Sequence, residues 1–260
     1  MDFTQAWQEW KAGREKTLAD PHGWLALVSL DWLETHPRSY PGLPGLWWQD
    51  EDVAYVDPAG ADLRHEGTPL SGVRRFELVN SGPGARVTAG DREIEIARRS
   101  GYLIRVHDPK SLVLRNFHGV PAYEPDAAWV FVGTYEPFAE PRPTTVGAVV
   151  EGLSHVYTVP GLVHFTHNGT EHTLTAFNGR DGGLNILFTD KTSGVTTYAA
   201  NRSLPVSAPA TDGTVTLDFT RAVNLPCAFT DFATCPLPPE GNHLPFAVEA
   251  GEKLPFERQG

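Results

Sequence analysis

Cysteine is nearly absent from this chain: Cys227 and Cys235 are the only two among 260 residues. That excludes the disulfide-dense frameworks on which small secreted domains rely. Basic charge is also scarce, with 21 Lys and Arg against 32 Asp and Glu, for a net charge of −11. Acidic residues lead in both halves, so no basic face is offered to duplex nucleic acid. No run approaches the roughly 18 uncharged apolar residues of a membrane-spanning helix. Asp2, Glu9, Lys11, Arg14, Glu15 and Lys16 interrupt the region where a signal peptide would need an apolar stretch. A soluble cytoplasmic protein with neither nucleic-acid nor membrane partners is expected. A Walker loop, a dinucleotide-binding glycine fingerprint and a His-Glu-x-x-His helix are all missing, so no cofactor is expected. Ser193, in Thr192-Ser-Gly194, lacks the Gly-x-Ser-x-Gly elbow of hydrolases.

Aromatic residues are plentiful: seven Trp, seven Tyr and thirteen Phe supply ample apolar area for a core and exclude disorder. Residues 2–19 predict a short amphipathic helix, because Phe3, Trp7 and Trp10 recur at i, i+4 and i+7 before Asp20-Pro21-His22-Gly23 stops it. Trp24–Leu33 alternates like a strand, although a short buried helix fits it nearly as well. Beyond Pro41 the chain consists of short β-favouring runs with turn residues between them. They comprise Val53–Val56, Arg75–Val79, Glu93–Ala97, Tyr102–Val106, Leu112–Phe117 and Trp129–Tyr135. This spacing predicts an all-β antiparallel sandwich or barrel. Prolines crowd Pro137–Arg142, which is the expected linker between a β-rich half at 1–136 and another at 137–260, unless the two form one continuous domain.

One hairpin can be drawn in register. Leu162–His167, Asn168-Gly169 and Thr170–Phe177 form two strands around a type I′ turn, in which both central residues need φ > 0. The two-residue loop pairs His167 with Thr170, Phe165 with His172 and Val163 with Leu174. Val163, Phe165, Leu174 and Ala176 then share the buried face. His164, His167 and His172 invite a metal reading, but alternation sends His164 to the opposite side and leaves two ligands where zinc needs at least three. No metal is expected here.

Cys227 and Cys235 have seven residues between them, unlike a zinc knuckle, and lie in a Pro-rich stretch from Asn224 to Pro239. Eight of the 22 prolines fall in residues 205–260. Helix and central strand are both forbidden to such a stretch, yet Phe229, Phe232 and Leu237 call for burial, so an ordered segment wrapped on the barrel is expected. The two cysteines read as small buried hydrophobes, with a disulfide staple, a two-thiolate metal site and a reactive thiol left open.

Several motifs recur together: Phe188-Thr-Asp-Lys-Thr-Ser-Gly194, Thr197-Tyr-Ala-Ala-Asn-Arg202, Leu217-Asp-Phe219, Arg221-Ala222, Pro226-Cys-Ala-Phe229, Thr234-Cys-Pro-Leu-Pro-Pro239 and Ala250-Gly-Glu-Lys253. With Gly23-Trp-Leu25 and Arg105-Val-His-Asp108 in the first half, the sequence resembles a bacterial family known as domain of unknown function 1684, over about residues 5–255. The resemblance implies no activity. Thr220, Val223 and Leu225 stand where Asn, Tyr and Pro are usual, and His243 replaces an Arg, so if these positions line a pocket, its ligand would differ from that of relatives. Polar residues inside these motifs are the candidate site. Arg202 is the anion anchor, Tyr198 or Asp218 the proton-transfer group and Cys227 the nucleophile. Arg105, Asp108, Asn224, Cys235, Asn242 and Glu252 are candidate ligand contacts. The expected function is binding of a small molecule, with an anionic ligand and hydrolysis among the options. The alternatives are a non-catalytic β module, in which a buried Arg–Asp pair and the two Asn pin the fold, and a metal protein using both thiols.

Overall fold

The computed structural model describes residues 2–256. The helix α1 spans Phe3–Leu18, and β1 (Leu27–Trp32) follows a single 3₁₀ turn at Trp24–Ala26, so both readings of that segment hold in part. Then come β2 (Leu46–Gln49), β3 (Ala54–Asp57), β4 (Arg64–His65), β5 (Thr68–Pro69), β6 (Arg74–Phe76), β7 (Ala85–Ala89), β8 (Arg92–Arg98) and β9 (Tyr102–His107). The short helix α2 is at Leu112–Arg115, where a strand was expected. Its reason is local: Lys110 N binds the Asp108 carboxylate, and Ser111 sits in position to accept the Arg115 amide. The remaining strands are β10 (Val130–Gly147), β11 (Ser154–His167), β12 (Thr170–Asn178), β13 (Leu184–Phe188), β14 (Arg202–Val206) and β15 (Thr214–Asp218). Every ladder between these strands is antiparallel. The chain is therefore all-β with a short N-terminal helix.

Two compact units divide the chain. The N-terminal unit is Lys16–Phe117 with Thr230–Ala233; the C-terminal unit is the chain up to Glu15, His118–Phe229 and Thr234 onward. The boundary falls at 117/118 rather than at 136/137. The expected linker at Pro137–Arg142 lies inside β10, where the register against β11 shifts from Pro137↔Gly161 to Arg142↔Val159. Proline cannot donate to a ladder, so the crowded prolines make a bulge in a continuous strand. Opposite them, a Cβ on Gly161 would sit 2.3 Å from the Glu136 carbonyl oxygen, so only glycine allows the two backbones to close there.

In the N-terminal unit, β1-β9-β8-β7-β4-β5 form one sheet and β2-β3-β6 another. Ile94 and Ile96 face Val106 and Ile104 across the ladder and join Trp47, Val56, Leu63 and Tyr102 in the core. In the C-terminal unit the sheet order is β14-β13-β12-β11-β10-β15, a half-barrel whose edge strands, β14 and β15, do not hydrogen-bond to each other. The hairpin register is as drawn from sequence, with Asn168 and Gly169 at φ 50° and 75° and Val163, Phe165, Leu174 and Ala176 buried.

Both faces of this sheet are apolar, which accounts for the chain's C-terminal course. The inner face holds Ile186, Phe188, Leu204, Leu217 and Phe219, and is closed by Leu244, Val248 and Ala250 from the irregular strap that follows the Pro-rich segment. The outer face carries Val146, Val159, Phe177 and Leu187, with Leu225 of the Pro-rich segment packed on them. That segment is ordered, as expected. Leu237 N donates to Gly147 O at 2.8 Å, Val149 N to Cys235 O at 3.0 Å and Asn201 Nδ2 to Pro236 O at 2.6 Å. Side chains and neighbouring amides supply the partners that prolines cannot.

Candidate functional site

The residues singled out by sequence fall into three places. Arg202, at the start of β14, is 1% exposed; both Nη atoms are engaged, while Nε has no hydrogen-bond partner among the described residues. Nη2 donates to Asp190 Oδ2 at 2.8 Å and Val248 O at 3.0 Å, while Nη1 donates to Ala250 O and reaches Glu252 O at 3.4 Å. Asp190 Oδ1 accepts from Thr192 N and Oγ1 and from Val248 N. The strap at 248–252 pairs with no strand, so its carbonyls need donors, and a forked guanidinium supplies them from one point. Burial pulls the Arg202 guanidinium below its usual value, and Asp190 pulls the other way. Asn242 acts similarly: its Oδ1 accepts Thr175 N at 2.8 Å, and its Nδ2 donates to Thr175 O and Leu187 O at 2.9 and 2.7 Å. The buried Arg–Asp pair is present, with Asp190 rather than Asp218 as the carboxylate.

Arg105 and Asp108 belong to the N-terminal unit, apart from the other candidates in chain organisation. Arg105 Nε and His107 Nε2 each lie 3.5 Å from Glu95 Oε2, and the Arg105 guanidinium sits 5.3 Å from the Trp24 ring centre. Burial pushes the Glu95 carboxyl up, but the hydrogen bond with His107 and the charge of Arg105 outweigh it and hold it below the usual value. Asp108 is paired with Arg92 at 2.7 Å. Arg92 and Lys110 line a hollow of about 390 Å³ in this unit, but Asp108 and Asp91 already neutralise them.

The third place is open. Along the seam between β14 and β15 runs a groove of about 1130 Å³, lined by residues of the C-terminal unit alone. Ser203 and Pro205 of β14 form one wall and Thr216 and Asp218 of β15 the other. The turn Gly179–Asp181 closes one end, and Trp10 and Arg14 of α1 bank the groove. Arg14, Arg180 and Arg221 all line it, against Asp181 and Asp218. Arg14 is held from behind: its Nε meets Glu252 Oε1 at 3.0 Å, and its Nη2 donates to Asn224 O at 2.9 Å. Glu252 is 4% exposed and also accepts Asn224 N at 2.6 Å, so Glu252 and Asn224 act as the anchor of Arg14. Arg221 pairs with Asp218 at 3.1 Å, and its guanidinium lies 5.7 Å from the Trp10 ring centre. Asp218 also caps the turn after β15 by accepting from Thr220 N and Oγ1. Arg180 is exposed in its turn.

Of the residues expected from sequence, Asp218 alone lines this groove. Cys227 and Cys235 are buried thiols, and Tyr198 is half-buried on the loop between β13 and β14. Arg202, Tyr198 and Cys227 are not among the residues that line the groove. Arg14 and Trp10 gave no signal of a site because α1 reads as an ordinary amphipathic helix. Arg221 stood inside a quoted motif, and its charge was the available signal.

His164 contacts Glu136 and Thr173, while His167 stacks on Phe246 with ring centres 4.2 Å apart. His172 faces Phe246 at 5.0 Å, so the three histidines divide between two sides as alternation requires. Among the described residues no three His, Cys, Asp or Glu side chains group as metal ligands. No helix among them is long and apolar enough to cross a membrane.

Residues 115–253 match the family described as "Protein of unknown function (DUF1684)". The chain belongs to that family. The DUF1684 match begins next to the unit boundary and covers about half the chain, so the likeness read over residues 5–255 was too broad. Gly23-Trp-Leu25 and Arg105-Val-His-Asp108 lie outside it. Apart from Trp10 and Arg14, the whole groove lining lies within the DUF1684 region. The chain is also similar to an uncharacterized protein of Haloarcula marismortui, known from a solution NMR structure. The two are 30% identical over 54% of this chain and 78% of that one, with a TM-score of 0.45. No curated protein matches the chain.

Proposed function

We propose that the C-terminal unit binds a small anionic molecule in the groove between β14 and β15. The observation that carries this reading is the gathering of Arg14, Arg180 and Arg221 on one groove of a chain whose net charge is −11. Arg14 is paired with Glu252 and Arg221 with Asp218, and Asp181 stands in the same turn as Arg180, so an anion is held here by forked guanidinium hydrogen bonds rather than by an excess of positive charge. The lining adds hydrogen-bonding groups at Asn178, Asn185 and Ser203 and apolar surface at Trp10, Pro205 and Val223. That mixture suits an organic acid with an apolar body better than a bare inorganic ion. Arg221 offers its guanidinium to the acid group, and Trp10 offers a ring face to the body. Catalysis is no part of this reading.

A panel of aliphatic and aromatic carboxylates, citrate and inorganic phosphate, titrated against the full chain by calorimetry and Trp fluorescence, tests it. A carboxylate should bind while its neutral amide does not. Arg221→Gln should weaken binding by about 10- to 100-fold, the value of one charge-assisted contact. Arg180→Gln should weaken it less, because that side chain is exposed and solvated. Silence across the panel, or unchanged affinity in both variants, would overturn the proposal.

The buried polar residues support a second, structural role. Arg202 and Asn242 each hold irregular backbone to a strand, Asp190 holds the Val248 amide, and Glu252 holds the Asn224 amide while fixing Arg14. We assign these residues to fold and positioning rather than to ligand chemistry.

A further inference from the structure

The two thiols lie outside the groove, and the binding proposal does not use them. Their placement is specific. The Cys227 amide donates to Cys235 Sγ at 3.2 Å, and both residues are buried. With an N–Cα bond of about 1.46 Å, that sulfur lies within about 4.7 Å of the Cys227 Cα, inside the reach of a bridged pair. Both ends are anchored without any covalent bond. Phe229 N donates to Pro226 O at 2.9 Å on the Cys227 side, and Val149 N to Cys235 O at 3.0 Å on the other. Pro226 and Pro236 stiffen the backbone beside each cysteine. Between them the chain leaves the C-terminal unit after Phe229 and returns at Thr234, so the thiols stand at the neck of that excursion.

We propose that Cys227 and Cys235 form a reversible intramolecular disulfide when the protein meets a low-molecular-weight disulfide such as oxidised glutathione. The Cys227 N–H hydrogen bond to Cys235 Sγ places a donor on that sulfur, so Cys235 is taken as the attacking sulfur once local opening exposes it. It attacks one sulfur of the small disulfide, whose S–S bond breaks, and the departing thiolate takes up a proton. The Cys227 thiolate then attacks Cys235 Sγ in the mixed disulfide and expels the second small thiol. Two protein thiols are oxidised, one small disulfide is reduced to two thiols, and the two protons lost by the protein end on those products. Because both thiols are buried, reaction proceeds through local opening of the Pro-rich segment, and the product locks its neck closed.

The test uses the intact, folded chain incubated with oxidised glutathione and read by intact mass and non-reducing peptide mapping. The expected product has lost two hydrogens, carries a Cys227–Cys235 link, reverts with excess reduced thiol and melts several degrees higher than the reduced form. Cys227→Ser should stop at a glutathione adduct on Cys235. A stable adduct on the wild-type chain overturns the proposal. So does absence of reaction under conditions where the urea-unfolded chain is fully modified. These wild-type measurements decide the matter even if the Ser variant fails to fold.

Discussion

Asp190→Ala tests the buried polar network most directly. In the folded chain Asp190 is 2% exposed and Arg202 1%, so the substitution leaves a guanidinium in the interior without its counter-charge. Removing one partner of a buried pair typically costs about 3–5 kcal/mol. Two features of the site shift that figure in opposite directions. Arg202 keeps the carbonyls of Val248 and Ala250, which lowers the loss. Thr192 N and Val248 N lose their acceptor, and each buried donor left unmet costs about 1–3 kcal/mol. The expected total is therefore about 4 kcal/mol, equivalent to roughly 8–16 °C in the melting transition of a chain this size. Urea unfolding followed by near-ultraviolet circular dichroism of the single variants Asp190→Ala and Arg202→Met, and of the double variant, measures it. The double variant should cost much less than the sum of the singles, because neither charge is then buried alone. Strict additivity, or a loss below about 1 kcal/mol in Asp190→Ala, would show that the pair is not the fastening described.

Other consequences are equally open to measurement. Phe165→Ala empties a site packed against Phe131 and Phe219 and should cost about 3–5 kcal/mol in the same urea assay. Gly169→Ala puts a Cβ on a residue at φ 75° and should cost about 1 kcal/mol through strain alone, since nothing stands within 4 Å of that position. Glu95 gives a pH signature. Its folded carboxyl is held below the ordinary 4.5, so its stabilising contribution is complete above that value and is lost as pH falls through the folded one. Melting temperature followed from neutral pH down through that window should fall less steeply in Glu95→Gln than in wild type, whereas parallel curves would count against the ion cluster.

How much could be read in advance is clearest from particular residues. The hairpin around Asn168-Gly169 was legible to the register because turn type, loop length and alternation are all local. Helix α1 was legible for the same reason, through the spacing of Phe3, Trp7 and Trp10. The strand expected at Leu112–Phe117 is a helical turn because Asp108 and Ser111 engage nearby amides, a competition that β-propensity ignores. The prolines at 137–143 resembled a linker, and only the facing strand, with Gly161 at the point of closest approach, reveals a bulge. Asp218 and Asp190 both stood inside motifs read from the sequence; which one meets Arg202 depends on the strap at 248–252, far along the chain.

The groove shows where sequence reading stops. It is made of two edge strands, a turn and a helix, contributed by four separated stretches between Trp10 and Val223. Only the stretch holding Asp218 and Arg221 carries a motif read from the sequence. The amino-acid order by itself determined the all-β class, the antiparallel hairpins, the N-terminal helix and the ordered Pro-rich wrap, because periodicity, turn chemistry and missing amide donors act over a few residues. Tertiary structure alone decided that β14 and β15 do not pair with each other and leave a groove lined by three arginines along their seam, and that Arg202 is spent on Asp190 and the strap carbonyls. Those outcomes depend on which distant backbone groups lack partners once the sheet has curled.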